Sequence, residues 1–283
     1  MMKTISYIGY RITERCNKHC PFCFSREKEL VKDQSLSEIE KFLQNIVRAK
    51  IPTIGIMGGE PMLRKDIIDI LKITKNYKFE VILSTNATLI KQKQLDELNG
   101  LIDYLSISLD NYDEFQNDKF RGFDQYKSAT RIINIYEDYR YNFRLKVNTV
   151  VHKLNINNGI DEIPELFNNK NIIWKLLQFT PRLKGKEVEK KFAISKKEFI
   201  NKAMSLKQKF PKIKIAYRTY TFDEKYDLLI IRPNGDLEIN YGDSYKLVGN
   251  AYKDEIRDVI QKVWNKEQTY YNENWDEFRL SYR

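Results

Sequence analysis

The sequence predicts an α/β chain, a parallel sheet of six strands alternating with six helices, followed by a small α+β extension. Three observations carry this. Apolar runs of strand length recur at about 5–13, 53–58, 80–86, 104–110, 144–151 and 174–181. Amphipathic stretches at about 36–49, 64–75, 91–98, 123–138 and 161–168 separate them, with a sixth at about 195–209. Such alternation buries a parallel sheet beneath helices. The strand runs also end in small or polar residues, which is where a parallel sheet carries its ligands. At 283 residues there is enough chain for one large core and an appended lobe.

Each element has its own signal. The first strand runs directly into the stretch CNKHCPFC, and Ser35 and Ser37 mark the start of the first helix. The second strand closes as TIGIMGGEP, ending in Gly58-Gly59-Glu60-Pro61, where glycines let the backbone approach a ligand closely. EVILSTN ends in Ser84, Thr85 and Asn86, and YLSISLD ends in Ser108 and Asp110; taken singly, each is ordinary turn or cap chemistry. The fifth strand, LKVNTVVHKLN, alternates Lys146, Asn148 and His152 against apolar residues, and IWKLLQFTPRLKG sets Lys175, Gln178 and Arg182 likewise. If the apolar face meets the helices, these polar groups line the interior and call for an anionic ligand. The alternative is that the lysines reach solvent along their stems. Ser195 opens SKKEF with Glu198 three residues on, a capping box. Beyond it come KIAYRT, two apolar strands joined through Pro233-Asn234-Gly235-Asp236, and a helix from about Asp254 to Trp264. The expected division is residues 1–210 for the core and 211–283 for an extension covering its mouth, with the closing YYNENWDEFRLSYR either packed there or loose.

The 49 basic and 39 acidic residues give a formal charge of +10, spread along the chain without a polybasic block. That reads as a solvated lysine surface and does not call for nucleic acid. No apolar run approaches the length of a membrane span, and the first residues lead into a strand without the pattern of a secretory leader, so the expected location is the cytoplasm.

The only cysteines, Cys16, Cys20 and Cys23, are spaced Cys-x3-Cys-x2-Cys. Three thiolates from one short loop can hold three irons of a [4Fe–4S] cube and leave the fourth open to a chelating small molecule. A Cys3His zinc site with His19 is the competing reading, although structural zinc usually draws on two separated ligand pairs. A disulfide fits poorly with an odd cysteine count and no leader.

The cysteine spacing, with Phe22 before the last thiol, resembles the signature of the radical S-adenosylmethionine (SAM) enzymes, and Gly58-Gly59-Glu60-Pro61 resembles their GGE motif. The match covers residues 5–182. It implies an enzyme with an open (β/α)6 partial TIM barrel and two cofactors, a [4Fe–4S] cluster on Cys16, Cys20 and Cys23 and SAM chelated to the open iron. It also implies reductive cleavage of SAM to a 5′-deoxyadenosyl radical that abstracts hydrogen from a substrate, with a reductant such as flavodoxin or ferredoxin as partner. The SAM pocket implied by the resemblance comprises Phe22, Gly58, Gly59, Glu60, Pro61, Thr85, Asn86, Ser108, Asp110, Arg121 and Val150, with Ser108 and Arg121 receiving the SAM carboxylate.

Two subfamilies share further features with this chain. The run from Ile230 through PNGDLE, followed by Lys246-Leu247-Val248-Gly249-Asn250, resembles the carboxyl-terminal domain of SPASM-type peptide-modifying enzymes. There Asn240 stands about where the first auxiliary-cluster cysteine is expected, and no fourth cysteine exists to hold a second cluster. CPFCF, KVNTVVHKLN, WKLLQF and FAISKKEF resemble viperin-like enzymes, which act on nucleoside triphosphates. On that resemblance Lys146, Asn148 and Lys175 contact phosphates, with Gln178 and Arg182 nearby in the substrate site, and Tyr226 returns a hydrogen atom, although the basic glycine-containing end of that group is absent. The expectation drawn first is a single-cluster enzyme acting on a peptide or other cytoplasmic substrate; a nucleotide substrate is the alternative. A non-catalytic zinc or cluster-holding interaction protein is the third.

Overall fold

The computed structural model describes residues 5–23, 31–137, 139–219, 228–241 and 244–264. Tyr226 and the closing stretch from 265 onward lie outside the described residues. The strands are β1 (Tyr7–Arg11), β2 (Thr53–Met57), β3 (Glu80–Thr85), β4 (Tyr104–Ser108), β5 (Arg144–Val151), β6 (Ile173–Gln178), β7 (Lys214–Arg218), β8 (Leu229–Ile231), β9 (Asp236–Tyr241) and β10 (Ser244–Asn250). They form one sheet in the order β10-β9-β8-β1-β2-β3-β4-β5-β6-β7. From β8 through β7 every neighbouring pair is parallel, and β9 and β10 fold back as antiparallel edge strands. The extension therefore feeds both edges of the sheet, adding β7 beside β6 and β8 beside β1.

The sheet curls into an open barrel. Arg182 follows β6, eight places from β10 in the strand order, which on a flat sheet is on the order of 40 Å. Yet its guanidinium carbon lies 5.6 Å from the ring centroid of Tyr245 on β10, and that of Arg11 on β1 lies 4.9 Å from the same ring. Inside, Tyr7, Ile82, Tyr104 and Ile173 make a small apolar plug. The side chain of Tyr7 fills the space at Gly55, where an added Cβ would sit 1.8 Å from the tyrosine hydroxyl. The main core lies on the other face, where alternate residues such as Ile8, Tyr10 and Ile12, or Leu145, Val147 and Val151, meet the helices.

Those helices are α1 (Leu36–Arg48), α2 (Ile67–Asn76), α3 (Gln92–Glu97), α4 (Glu114–Arg121), α5 (Gln125–Ile135), α6 (Lys184–Glu187), α7 (Glu189–Phe192), α8 (Lys196–Lys209) and α9 (Ile256–Trp264). Ser35 and Ser195 each form the complete capping box with Glu38 and Glu198, as their spacing predicts. Three expectations need correction. The stretch expected to be helical at 161–168 contains only a short 3-10 turn at Ile163–Phe167, where Pro164 removes a backbone donor. The helix expected from 64 starts at Ile67, after a separate turn over Pro61–Leu63. The stretch expected from 123 follows a helix that sequence reading missed, α4, which ends on Gly122 at φ +91° before α5 begins.

Candidate active site at the carboxyl ends of the parallel strands

The chain leaves β1 at Arg11 and crosses the end of β2 before reaching the cysteines. The Gly59 N–H donates to the Thr13 carbonyl at 2.8 Å and the Glu60 N–H to the Arg15 carbonyl at 2.8 Å. A Cβ at Gly58 would stand 2.2 Å from the Thr13 oxygen, and one at Gly59 would stand 2.2 Å from the Arg15 oxygen. The two glycines thus admit the backbone that carries the cysteine loop, a close approach within the chain itself. Arg64 fixes the same segment from below, donating to the Ile12 carbonyl at 3.1 Å while paired with Asp66.

Glu60 is fully buried, and its carboxylate knits strand ends together. It accepts from the Thr85 hydroxyl at 2.6 Å, the Asn86 N–H at 2.7 Å and the Met62 N–H at 3.1 Å. Burial pushes its pKa up, and these three donors pull it back. Asn86 in turn donates from its side chain to Asn17, next to Cys16, at 2.8 Å.

Asp110, fully buried beyond β4, accepts both arms of Arg121 at 2.5 and 3.0 Å and the Val150 N–H at 2.8 Å. Burial works to lower the Arg121 pKa, but Asp110 and the Cys20 thiol more than offset it. The guanidinium stacks on the Phe22 ring at 5.0 Å, and its backbone carbonyl lies 3.9 Å from the Cys20 sulfur. The Ser108 carbonyl accepts from Gln125 at 2.6 Å. Expected SAM-pocket residues from β2, β4, β5 and α4 are therefore linked around the cysteine loop.

All three cysteines are half-buried free thiols. Burial raises the pKa of Cys16 and Cys20, and each also feels the charge of Cys23. Three soft donors are thus gathered where an iron–sulfur cube needs one thiolate per iron, and the donor set fits that group. Among the described residues no three His, Cys, Asp or Glu side chains form a group suited to one metal ion, and His19 is exposed.

Against the loop stands an aromatic box of Phe22, Phe120, Phe179 and Phe192. His152 sits within it, 0% exposed, its ring centroid 4.8 Å from that of Phe192 and 4.9 Å from that of Phe120. Its Nδ1 accepts from the Leu154 N–H at 3.2 Å, so in the neutral ring Nε2 carries the proton, and that atom has no hydrogen-bond partner. Desolvation pushes the His152 pKa down to about 4.

The barrel interior is polar where it approaches this loop. Ser84, Ser106, Lys146 and Ile173 are successive register partners, and Ser108, Asn148 and Lys175 form the next layer toward the strand ends. Asn148 donates to the Ser106 hydroxyl at 2.8 Å. Lys146, Lys175 and Arg182 are all below a tenth exposed, and burial lowers the Lys146 pKa to about 8. Gln178 does not share the Lys175 face. They are three positions apart, so the two-residue period turns Gln178 outward, where it donates to the Ile194 carbonyl at 2.9 Å. Sequence reading missed Arg11 and Tyr245. Arg11 was legible as the third interior position of β1 after Tyr7 and Gly9; nothing local in the sequence marks Tyr245.

The family model described as Radical SAM superfamily matches residues 10–165. The chain is 29% identical over 284 residues to the GTP 3′,8-cyclase of Helicobacter pylori, spanning 94% of this chain and 86% of that protein. It is 28% identical over 209 residues to an S-adenosylmethionine-dependent nucleotide dehydratase of Lacinutrix mariniflava, spanning 70% of this chain and 43% of that one. Among solved structures, Streptococcus suis SuiB bound to S-adenosylmethionine superposes with a TM-score of 0.71 at 18% identity, over 90% of this chain and 65% of SuiB. The enzyme anSMEcpe with bound AdoMet also gives 0.71, at 13% identity, over 98% and 83%.

Proposed function

The chain belongs to the radical SAM superfamily, and we propose that it applies that chemistry to a nucleoside triphosphate whose phosphates enter the basic interior of the barrel. One observation carries the choice of substrate. Four cationic side chains of the barrel, Arg11, Lys146, Lys175 and Arg182, are less than a tenth exposed. Positive charge concentrated in the interior favours an anionic ligand, and a polyphosphate is one that several such groups can hold at once. The two relatives reported above, a GTP cyclase and a nucleotide dehydratase, both carry nucleotide substrates in their names, which supports the same reading. The peptide substrate favoured by the carboxyl-terminal resemblance has only fold-level company, because SuiB and anSMEcpe stand at 18% and 13% identity.

In this reading Cys16, Cys20 and Cys23 hold the [4Fe–4S] cluster. When bound, the cluster and SAM supply one-electron cleavage of SAM and, from it, hydrogen-atom abstraction. The chain's own residues position and exclude. Glu60, tied to Thr85 and Asn86, offers its carboxylate edge and the adjoining strand-end carbonyls to the SAM ammonium group. Arg121, held by Asp110, presents cationic charge beside Cys20 and Phe22 for the SAM carboxylate, with Ser108 close by. The Val150 backbone, docked on Asp110, borders the adenosyl portion. Lys146, Asn148 and Lys175 take the substrate phosphates, and the aromatic box keeps water from the reacting side. A small electron carrier such as flavodoxin or ferredoxin supplies the electron, in the cytoplasm. The reading is tested by 5′-deoxyadenosine release from anaerobically reconstituted enzyme. Stimulation by one of ATP, GTP, CTP or UTP, with no response to peptides, is the expected result; stimulation by peptides alone refutes it.

A further inference from the structure

The basic residues are spread along the chain, but their excess over acidic ones is not. Of the 49 basic and 39 acidic residues, 13 and 3 fall between Arg182 and Arg218, which leaves 36 of each in the rest of the sequence. That stretch leaves β6, forms α6, α7 and α8, and enters β7. Its first half borders the cysteine loop. Phe192, at the end of α7, is buried with its ring centroid 5.7 Å from that of Phe22, and Cys20 packs against the same aromatic group. Around Phe192 the surface is basic. Lys190 and Lys191 precede it, Lys196 and Lys197 open α8, and the Lys153 N–H donates to the Phe192 carbonyl at 2.9 Å; all five lysines are exposed. Hydrogen bonds from Ser195 and then the charge of Lys153 hold the Glu198 carboxyl below its usual range, which places Lys153 beside the first turn of α8.

Local stability does not call for these charges. Lys196 and Lys197 occupy the first turn of a 14-residue helix, where the dipole disfavours cations. Of the three acids in the stretch, Glu198 is committed to the Ser195 cap, which leaves Glu187 and Glu189 on the surface of α6 and α7. A cationic face beside a one-electron centre suits a partner that brings electrons and carries negative charge. Complementary charge steers encounter, and short-lived electron-transfer complexes need little contact, less than about 1,200 Å². A nucleic-acid strand is the other polyanion to weigh. Strands of that kind stack their bases on exposed aromatic rings, whereas Phe22, Phe120, Phe179 and Phe192 are all buried.

We propose that Lys153, Lys190, Lys191, Lys196 and Lys197 form the docking surface of a small acidic electron carrier, which is oxidised by one electron as the [4Fe–4S] cluster is reduced by one. This rests on the radical SAM chemistry of the proposed function and not on the choice of substrate. The test is stopped-flow mixing of an acidic flavodoxin, in its reduced form, with the oxidised, cluster-loaded, SAM-bound enzyme, with dithionite as the control reductant. Lys190→Glu/Lys191→Glu and Lys196→Glu/Lys197→Glu each reverse two charges of the face. Lys209→Glu/Lys212→Glu reverses two exposed charges of the same stretch at the opposite end of the sheet, where β7 begins beside β6. At low salt, flavodoxin-driven reduction should slow about tenfold or more in the first two variants and stay within about threefold in the third, and added salt should erase the difference. Iron content should be unchanged, and dithionite-driven reduction should stay within about threefold throughout. Flavodoxin rates at the wild-type level in both face variants overturn the docking surface, as does a wild type that dithionite reduces and flavodoxin does not. Equal slowing by all three variants overturns it too, because net charge and not this face would then govern the rate. If the face variants lose only affinity for a single-stranded oligonucleotide, the face belongs to nucleic acid and not to a carrier. If dithionite neither reduces the cluster nor, with SAM, releases 5′-deoxyadenosine, the proposed function fails and the docking surface with it.

Discussion

His152 is held neutral at a calculable cost, and removing it should change how the chain responds to acid. The ring is wholly buried among Phe22, Phe120 and Phe192, and desolvation lowers its pKa from 6.5 to about 4. The charged groups nearest in effect oppose each other: Asp110 favours the imidazolium and Arg121 disfavours it. Because the folded pKa lies below the unfolded one, the unfolded chain binds the proton first between pH 6.5 and 4, and folding stability falls as pH drops through that window. A shift of this size corresponds to a destabilisation of about 3 kcal/mol, complete below pH 4 and absent above pH 6.5. Replacing His152 with Leu, of similar volume, removes the titration while keeping the box filled. Urea midpoints of wild type and His152→Leu, measured in the same iron-free state from pH 7.5 to 4.5, subtract away every carboxylate the two share. The difference should grow in favour of the variant by about 2–3 kcal/mol as pH falls. Parallel curves would mean that His152 is solvated in solution and that the box is open. At pH 7 the same variant discards a buried, unsatisfied N–H, which alone costs about 1–3 kcal/mol in the parent.

Replacing Cys16, Cys20 or Cys23 singly with Ala should leave the chain unable to retain four irons and four sulfides after anaerobic reconstitution; a variant that still cleaves SAM would remove that cysteine from the ligand set. Lys175→Ala should weaken triphosphate binding about tenfold or more and leave SAM affinity within about twofold, whereas equal losses would make Lys175 part of the SAM pocket or of the fold. Burial puts the Lys146 pKa at about 8, so nucleotide affinity should decline as pH rises through 8, and Lys146→Met should abolish that dependence while lowering affinity throughout. Gly59→Ala should cost about 1–3 kcal/mol in urea unfolding and lower iron incorporation, because the new methyl meets the Arg15 carbonyl at 2.2 Å; unaltered loading would show that the cysteine loop tolerates displacement there.

The strand ends were legible in the sequence because a parallel sheet fixes where its ligand side lies, and the apolar runs of β2 to β5 identified their own termini within a residue or two. What each end residue bonds to was not legible. Glu60 and Asp110 are satisfied by partners 25 and 11 residues away, Thr85 and Arg121, and no local pattern reveals that an arginine expected to meet SAM is already forked onto a carboxylate. Gln178 was misread because a spacing of three suits a helix face, while β6 obeys a period of two. Helix α4 escaped because its polar sequence EFQNDKFR has only Asn117 and Phe120 to bury. Its start was readable all the same: Asp113 caps it by accepting from the Gln116 N–H at 2.8 Å.

The carboxyl-terminal strands sharpen the question of what replaces an auxiliary cluster. The resemblance to SPASM-type enzymes expects a cysteine near position 240, and this chain carries Asn240 there, 4% exposed, paired in register with Tyr245. All three of its thiols are spent in one loop at the far end of the sequence. Where that resemblance expects a thiolate, this chain has an amide and, opposite it, a phenol whose ring collects two guanidiniums. Thiolates bind iron, while the N–H groups of guanidiniums bind oxyanions. Because β8 pairs directly with β1, the strand that leads into Cys16, whatever anion settles on the hairpin side is held in register with the cysteine loop through Gly9↔Ile230 and Tyr10↔Ile231. The rigidity of a shared sheet thus sets the distance from the hairpin to the cysteine loop.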